Sequence, residues 1–314
     1  MKSTIEMATV FCIGETVLDI IFNDGQPVSA TPGGSALNSA VSLGRAGLKV
    51  EFVSEYGKDQ PGKIIDDFLK QNNVGTHFIR RYDDGKTALA LAFLDKKRNA
   101  SYSFHTLYPR IRMKDPLPTV KKGDVILFGS IYSISPGIRG KIVSWVKKAR
   151  AKGTLIIYDP NFRKSHIHTL ETTRSWIIEN ISIADIVRGS DEDFFTVFGL
   201  QKPDDVRITL SSFGCENVII TRNSKSVIAW FNDKKTSVNI PVVKPLASTI
   251  GAGDSFNAGI IYALVGLGLT EAGSDHLTPE NIRAMIGSGI SFAADVCKSL
   301  ENYISTGFSK TLRS

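Results

Sequence analysis

The stretch Ser248-Thr249-Ile250-Gly251-Ala252-Gly253-Asp254 stands just before the longest apolar run of the chain, residues 256–269. Small residues let a backbone come close to an anion, the start of a helix offers N–H groups without partners, and a carboxylate placed there can take up a proton. Together these suit the phosphorylation of an alcohol. Taken alone, the same residues also suit a glycine turn before a buried helix capped by Asp254.

Other polar groups fall where apolar strands give out. Gly14-Glu15 and Asp19 lie along the first strand region, Pro32-Gly33-Gly34-Ser35 with Asn38 opens the first helix, and Asp159-Pro160-Asn161-Phe162-Arg163 follows a third apolar run. Each has an ordinary explanation as a turn, a helix surface or a strand stop. Their joint occurrence is informative, because doubly wound sheets bind ligands beyond the carboxyl ends of their strands.

The elements that must position these groups alternate. Strand-length apolar runs at 10–14, 50–54, 125–129, 155–159, 186–188 and 218–221 are interleaved with helix-period segments at 35–46, 60–72, 136–152 and 171–181. Two further helices, 254–269 and 279–300, close the chain. Such alternation predicts a mostly parallel sheet with helices on both faces. No linker and no internal repeat divides the chain, so residues 1–314 read as a single domain. One segment breaks the pattern: 87–95, the basic turn Lys96 to Asn99, and 100–105 read as an antiparallel hairpin. With residues 17–22 and 27–30 it predicts a small lid sheet, whose edges could pair with a second subunit into a homodimer.

Composition excludes several classes. A chain of 314 residues that is 42% hydrophobic is globular, and its longest apolar run is too short to span a bilayer. Lys2 and Glu6 interrupt the N-terminal segment, so no signal peptide or anchor is expected. Cys12, Cys215 and Cys297 are far apart and lack metal spacing, which predicts free thiols and a cytoplasmic location. The net charge of +7 is scattered, with short clusters at Lys96-Lys97-Arg98 and Lys121-Lys122, so a solvated surface is expected and no nucleic-acid partner. His166-x-His168 reads as a loop. Gly85-Lys86-Thr87 has Arg80 where a Walker A loop needs glycine, and a strand follows.

The pieces together resemble the ribokinase-like, pfkB-type carbohydrate kinases over nearly the whole chain. The first family signature is matched by Gly33-Gly34-Ser35-Ala36-Leu37-Asn38, followed by Gly44, Gly47, Gly57, Asp59 and Gly62, and the second by Gly251 to Asp254. Asp159 to Arg163 is similar to a segment of fructokinases and ketodeoxygluconate kinases. The resemblance implies an α/β, doubly wound, mostly parallel sheet flanked by helices, with a β-sheet lid from elements at about 16–31 and 86–106. It implies Asp254 as the base that accepts a hydroxyl proton during attack on the γ-phosphate of ATP, and the N–H groups of Gly251, Ala252 and Gly253 as an anion hole. Asp19, Gly33, Gly34 and Asn38 would bind the sugar, Phe104 and His105 would cover it, and Arg163 would hold sugar or phosphate.

The nucleotide side matches less well. Thr221 and Asn223 occupy a segment, Thr221 to Ser226, in which both family glycines are replaced. Mg²⁺ would lie near Asp193 or Glu192, in a motif where Ser190 stands for asparagine. With Ser248, Ile250 and Cys297-Lys298-Ser299-Leu300 at the matching positions, the monovalent cation of many relatives is not expected, and Lys298 is the candidate for its charge. Fructokinase is the leading activity. 2-Keto-3-deoxygluconate kinase is the nearest rival, needing Arg110 or Arg112 for a carboxylate. Ribokinase or nucleoside kinase, and a non-catalytic sugar-binding homologue, are the remaining alternatives.

Overall fold

Val10 and Cys12 enter one hydrophobic core, and Phe11 and Ile13 enter another. The same split separates Val125 and Leu127 from Ile126 and Phe128, and Leu155 and Ile157 from Ile156 and Tyr158. Side chains of a strand alternate between faces, so these strands are covered on both sides. Each large apolar side chain so buried contributes about 1.5–3 kcal/mol.

The computed structural model describes residues 8–94, 100–113, 116–231, 233–271 and 277–313. In chain order the elements are β1 (Thr9–Ile13), β2 (Val17–Asn23), β3 (Gln26–Gly33), α1 (Ser35–Arg45), β4 (Lys49–Gly57), α2 (Gln60–Gln71), β5 (Val74–Gly75), β6 (Ile79–Tyr82), β7 (Lys86–Leu94) and β8 (Ala100–Leu107). There follow β9 (Val125–Gly129), α3 (Ser130–Ser133), α4 (Arg139–Arg150), β10 (Leu155–Asp159), α5 (Leu170–Ser182), β11 (Ile186–Ser190), α6 (Asp191–Phe198) and α7 (Pro203–Ser212). The last are β12 (Val218–Arg222), β13 (Ser226–Phe231), β14 (Lys234–Asn239), α8 (Ala252–Gly266), α9 (Pro279–Val296) and α10 (Thr306–Thr311).

The main sheet has ten strands in the order β14-β13-β12-β11-β10-β9-β1-β4-β5, with β6 also on β4. From β4 to β12 the neighbours run parallel, as the alternation predicts. Helices α1, α2, α8 and α9 cover one face, through Leu37, Ile65, Ile260 and Met285, and α4 to α7 cover the other, through Ile142, Ile177, Phe194 and Leu210. The chain leaves β1 in one direction to β4 and later returns to β9 on its other side, so a topological switch point lies between β1 and β9. The antiparallel strands β13 and β14 are absent from the sequence reading. β14 is a polar edge strand, Lys-Lys-Thr-Ser-Val-Asn, without an apolar face to announce it.

A second sheet of four strands, β3-β2-β7-β8, forms the lid. Its hairpin β7–β8 is antiparallel as expected, whereas β2 and β7 pair in parallel. The turn Lys96 to Asn99 and residues Lys2 and Glu6 lie outside the described residues. The lid is tied to the body by Asp59, the N-cap of α2, whose carboxylate accepts from Gly62 N at 3.0 Å, Thr87 N at 3.0 Å and Thr87 Oγ1 at 2.5 Å. Thr87 is thus a lid anchor and not part of a phosphate loop. All three cysteines are free, and among the described residues no helix is long and apolar enough to cross a membrane.

Candidate active site

Asp254 lies in the first turn of α8, 7% exposed, facing α1. Its Oδ1 accepts from Ser35 Oγ at 2.6 Å and its Oδ2 from Asn38 Nδ2 at 2.8 Å. Ser39 Oγ donates to the Asp254 carbonyl at 2.9 Å, and Ser42 and Ser255 share a 3.1 Å hydroxyl contact. Four polar residues of α1 therefore fix the register of α8, and with it the direction of the carboxylate. Burial pushes the Asp254 carboxyl above the usual carboxylate range; the bonds from Ser35 and Asn38 oppose the rise, Asp159 adds to it and Arg163 reduces it.

Helix α8 begins at Gly251, whose φ of 78° is left-handed and whose absent Cβ would meet Asn302 O at 2.2 Å. Only glycine fits. Ala252 N donates to Thr249 O at 3.3 Å, so one of the three expected anion-hole amides has a partner within the protein. Gly251 N and Gly253 N have none among the described residues. Beneath this turn lies a buried network that the sequence reading missed. Arg188 donates to Asp159 Oδ2 at 2.9 Å and to Thr221 Oγ1 at 2.8 Å, and Asn257 Nδ2 reaches the same Asp159 oxygen at 2.6 Å. Arg188 is the central residue of β11, and a buried charge within a strand was the signal available. Asn38 Oδ1, Arg188 Nε and Asn257 Oδ1 are buried without a hydrogen-bond partner. A pocket lined by Ile13, Ser35, Gly129, Ser130, Asp159 and Asn257 opens at the switch point.

The lid supplies the facing wall. Thr31, Asp19, Ala90 and Phe104 are register partners across its strands, so they share a face. Gly33 ends β3 against Asp19, where an added Cβ would meet Asp19 Oδ2 at 2.0 Å, and Gly34 caps α1. Burial raises the Asp19 carboxyl to about 6. Tyr102 lies two residues from Phe104, and the two rings stack with centroids 5.9 Å apart. The Tyr102 hydroxyl is within electrostatic range of both Asp19 and Arg163, which makes Tyr102 a wall residue that sequence reasoning did not name. His105 projects to the opposite face, beside Ser103, so it cannot cover the same ligand as Phe104.

Several expected nucleotide and metal residues have other partners. The Thr221 hydroxyl is buried and accepts the Arg188 N–H at 2.8 Å. Asn223 is exposed in the β12–β13 turn at φ 48°. Asp193 forms a capping box with Ser190 at the start of α6, accepting from Ser190 N at 2.8 Å and Ser190 Oγ at 2.6 Å. Burial and then the Asp159 charge raise its carboxyl. Glu192 points outward and pairs with Lys164 at 3.3 Å, so the two carboxylates do not converge. No group of three or more His, Cys, Asp or Glu side chains among the described residues could hold a metal ion. Lys298 is exposed, and the Cys297 carbonyl accepts from Ala247 N at 2.8 Å and Ser248 N at 3.4 Å.

A buried carboxylate beside unpaired amides at a helix start, facing a lid at the switch point of a doubly wound sheet, defines a phosphotransferase acting on an alcohol. The family model for pfkB carbohydrate kinases matches residues 7–274. The chain belongs to the pfkB family of carbohydrate kinases, ATP-dependent enzymes that phosphorylate an alcohol group. It is 26% identical over 267 residues to a fructokinase of Vibrio alginolyticus, covering 82% of this chain and 84% of the relative. An aminoimidazole riboside kinase of Salmonella typhimurium is 23% identical over 260 residues, covering 82% and 81%. The fold matches a fructokinase of Vibrio cholerae crystallised with fructose, ADP and calcium at a TM-score of 0.84, with 20% identity over 98% of this chain and 99% of that one.

Proposed function

We propose that the protein is a fructokinase, transferring the γ-phosphate of ATP to a hydroxyl group of fructose. The observation that carries this reading is the Asp254 carboxylate, held on both oxygens by Ser35 and Asn38 and flanked by the unpaired N–H groups of Gly251 and Gly253. Each carboxylate oxygen keeps a second lone pair for a substrate hydroxyl. As that hydroxyl oxygen forms its bond to the γ-phosphorus, its proton passes to Asp254 and the bond to the bridging oxygen of ADP breaks. The amides face the charge that grows on the phosphoryl oxygens.

Asp19, the backbone at Gly33-Gly34 and the Tyr102–Phe104 face would hold the sugar, with Arg163 between lid and base. Site carboxylates that meet hydroxyl groups reject analogues lacking them, because the buried polar atoms are then unpaired. Asn38 serves this site chiefly through Asp254, since its amide nitrogen is engaged there. For the nucleotide, the exposed apolar residues Leu246, Ile250 and Leu300 near the start of α8 suit an adenine ring.

Asp193 is a hard oxygen donor beside the cradle, a setting that fits a hydrated Mg²⁺ contacting protein through water. Bound there, the ion would supply positive charge against the phosphate oxygens of the nucleotide. Asp193 is the better of the two metal candidates because Glu192 faces away.

A second reading, a riboside kinase, is favoured by the aminoimidazole riboside kinase relative and by the exposed aromatic pair Tyr102 and Phe104, which could stack on a base. Of the two arginines that could hold a sugar acid, Arg112 is already paired with buried Glu55 and stacked on Tyr108 at 3.6 Å, which leaves exposed Arg110 for a carboxylate. The test is ADP release over fructose, ribose, tagatose, ketodeoxygluconate and adenosine. Fructose giving the highest kcat/KM supports the proposal; adenosine doing so selects the second reading; no turnover with any of them leaves a binding protein.

A further inference from the structure

Arg188 places a guanidinium directly beneath the first turn of α8. It is 6% exposed, and its terminal nitrogens donate to Asp159 and Thr221. Its guanidinium lies 5.3 Å from the ring centre of Phe256, and a Cβ on Gly253 would come within 3.0 Å of its Nη1. The Asp159 oxygen that it pairs also receives Asn257. Gly253, Phe256 and Asn257 are spaced three and four residues apart, so they form one face of α8. That whole face rests on one guanidinium and its carboxylate.

Stability alone is a poor reason for such a pair. Desolvating two charges offsets most of their attraction, and apolar residues of similar volume would join β11 to α8 at least as well. What a guanidinium adds is a rigid fork of donors and a charge that does not titrate. Both matter where small backbone shifts decide whether amides point at a reacting group.

We propose that Arg188 is a positioning residue for phosphoryl transfer: clamped between Asp159 and Thr221, it holds the first turn of α8 so that the Gly251 and Gly253 amides stay aimed at the transferring group. This rests on the kinase reading. Arg188 itself touches no substrate, and no bond to it forms or breaks. Its effect falls on the step in which charge develops, more than on sugar binding, which is carried by the lid and α1.

The test compares full-length wild type with Arg188→Met, Arg188→Lys and the charge-balanced double variant Asp159→Asn/Arg188→Met, on the best sugar of the panel. kcat, both KM values and the melting temperature are measured. Arg188→Met and the double variant are expected to lose about 100-fold or more in kcat, in line with the loss of an oxyanion donor. KM for the sugar should move by less than about threefold, since uniform binding is untouched. Arg188→Lys should recover part of the loss by restoring charge without the fork. A double variant that melts and turns over like wild type overturns the proposal. So does one that no longer folds, because Arg188 is then a support of the core only. An inactive wild type fails the kinase reading and this proposal with it, whereas an active wild type with an active double variant fails this proposal alone.

Discussion

The amide nitrogen of Asn38 donates to Asp254 Oδ2 at 2.8 Å and so joins the first turn of α1 to the first turn of α8. Two helix starts meet here, on the same face of the main sheet and at the carboxyl ends of its strands. The carboxylate is fixed in direction before any ligand arrives, so little reorganisation is left for the reaction itself.

Replacing Asp254 by asparagine keeps the shape and removes the proton acceptor. Turnover should fall by about 10²- to 10⁴-fold, the range for a positioned base. Sugar affinity measured by calorimetry should stay near that of wild type. Near-normal kcat would refute the assignment of the base.

Asn38→Ala leaves Asp254 Oδ2 without its donor in a buried setting. The Asn38 bond holds the Asp254 pKa down against burial, so its removal raises that pKa further. The acid limb of the kcat/KM profile should move to higher pH, and kcat at neutral pH should drop by about tenfold, equivalent to about 1.4 kcal/mol. An unmoved acid limb would separate Asn38 from the base.

Asp19 should make stability depend on pH. Its folded pKa of about 6 exceeds the ordinary 3.8 because of burial, so the folded protein binds more protons than the unfolded one between those values. Its contribution is present in full below the ordinary pKa and is lost as pH rises through the folded value, then stays flat. Melting temperature measured from pH 4 to 7.5 should show this component, and Asp19→Asn should abolish it. A variant whose curve keeps the wild-type slope would place the effect elsewhere.

Gly251→Ala forces a Cβ into a left-handed residue and against Asn302 O at 2.2 Å. The backbone strain alone costs about 1–3 kcal/mol. Both melting temperature and kcat should fall, since the strained residue carries one of the free amides. A variant with wild-type melting would mean that the turn relaxes without cost.

Potassium should not activate the enzyme. The Cys297 carbonyl beside the loop before α8 is engaged by Ala247 N and Ser248 N, and Ser248 supplies no charge there. Turnover should be equal in sodium, in potassium and without either. Strong activation by potassium would show that the loop rearranges to admit the ion.

Local chemistry was legible in the chain itself. Gly251 to Asp254, Gly33 to Asn38 and Asp159 to Arg163 are short segments whose residue types declare a turn, a helix start or a strand end, and the alternation of runs declares the parallel sheet. What only the tertiary structure decided is which of these groups meet. Ser35 and Asn38 reach Asp254 because β1 and β4 place α1 beside α8, and nothing in their sequence spacing measures that distance. The Thr221 hydroxyl meets Arg188 of the neighbouring strand, a pairing that strand order makes and sequence separation hides. His105 and Phe104 are adjacent in sequence yet lie on opposite faces of the lid, and pairing with β7 decides which of them looks at the site. Residue type fixes what a group can do. Strand order and register, which arise from contacts between distant segments, fix what it has to do it with.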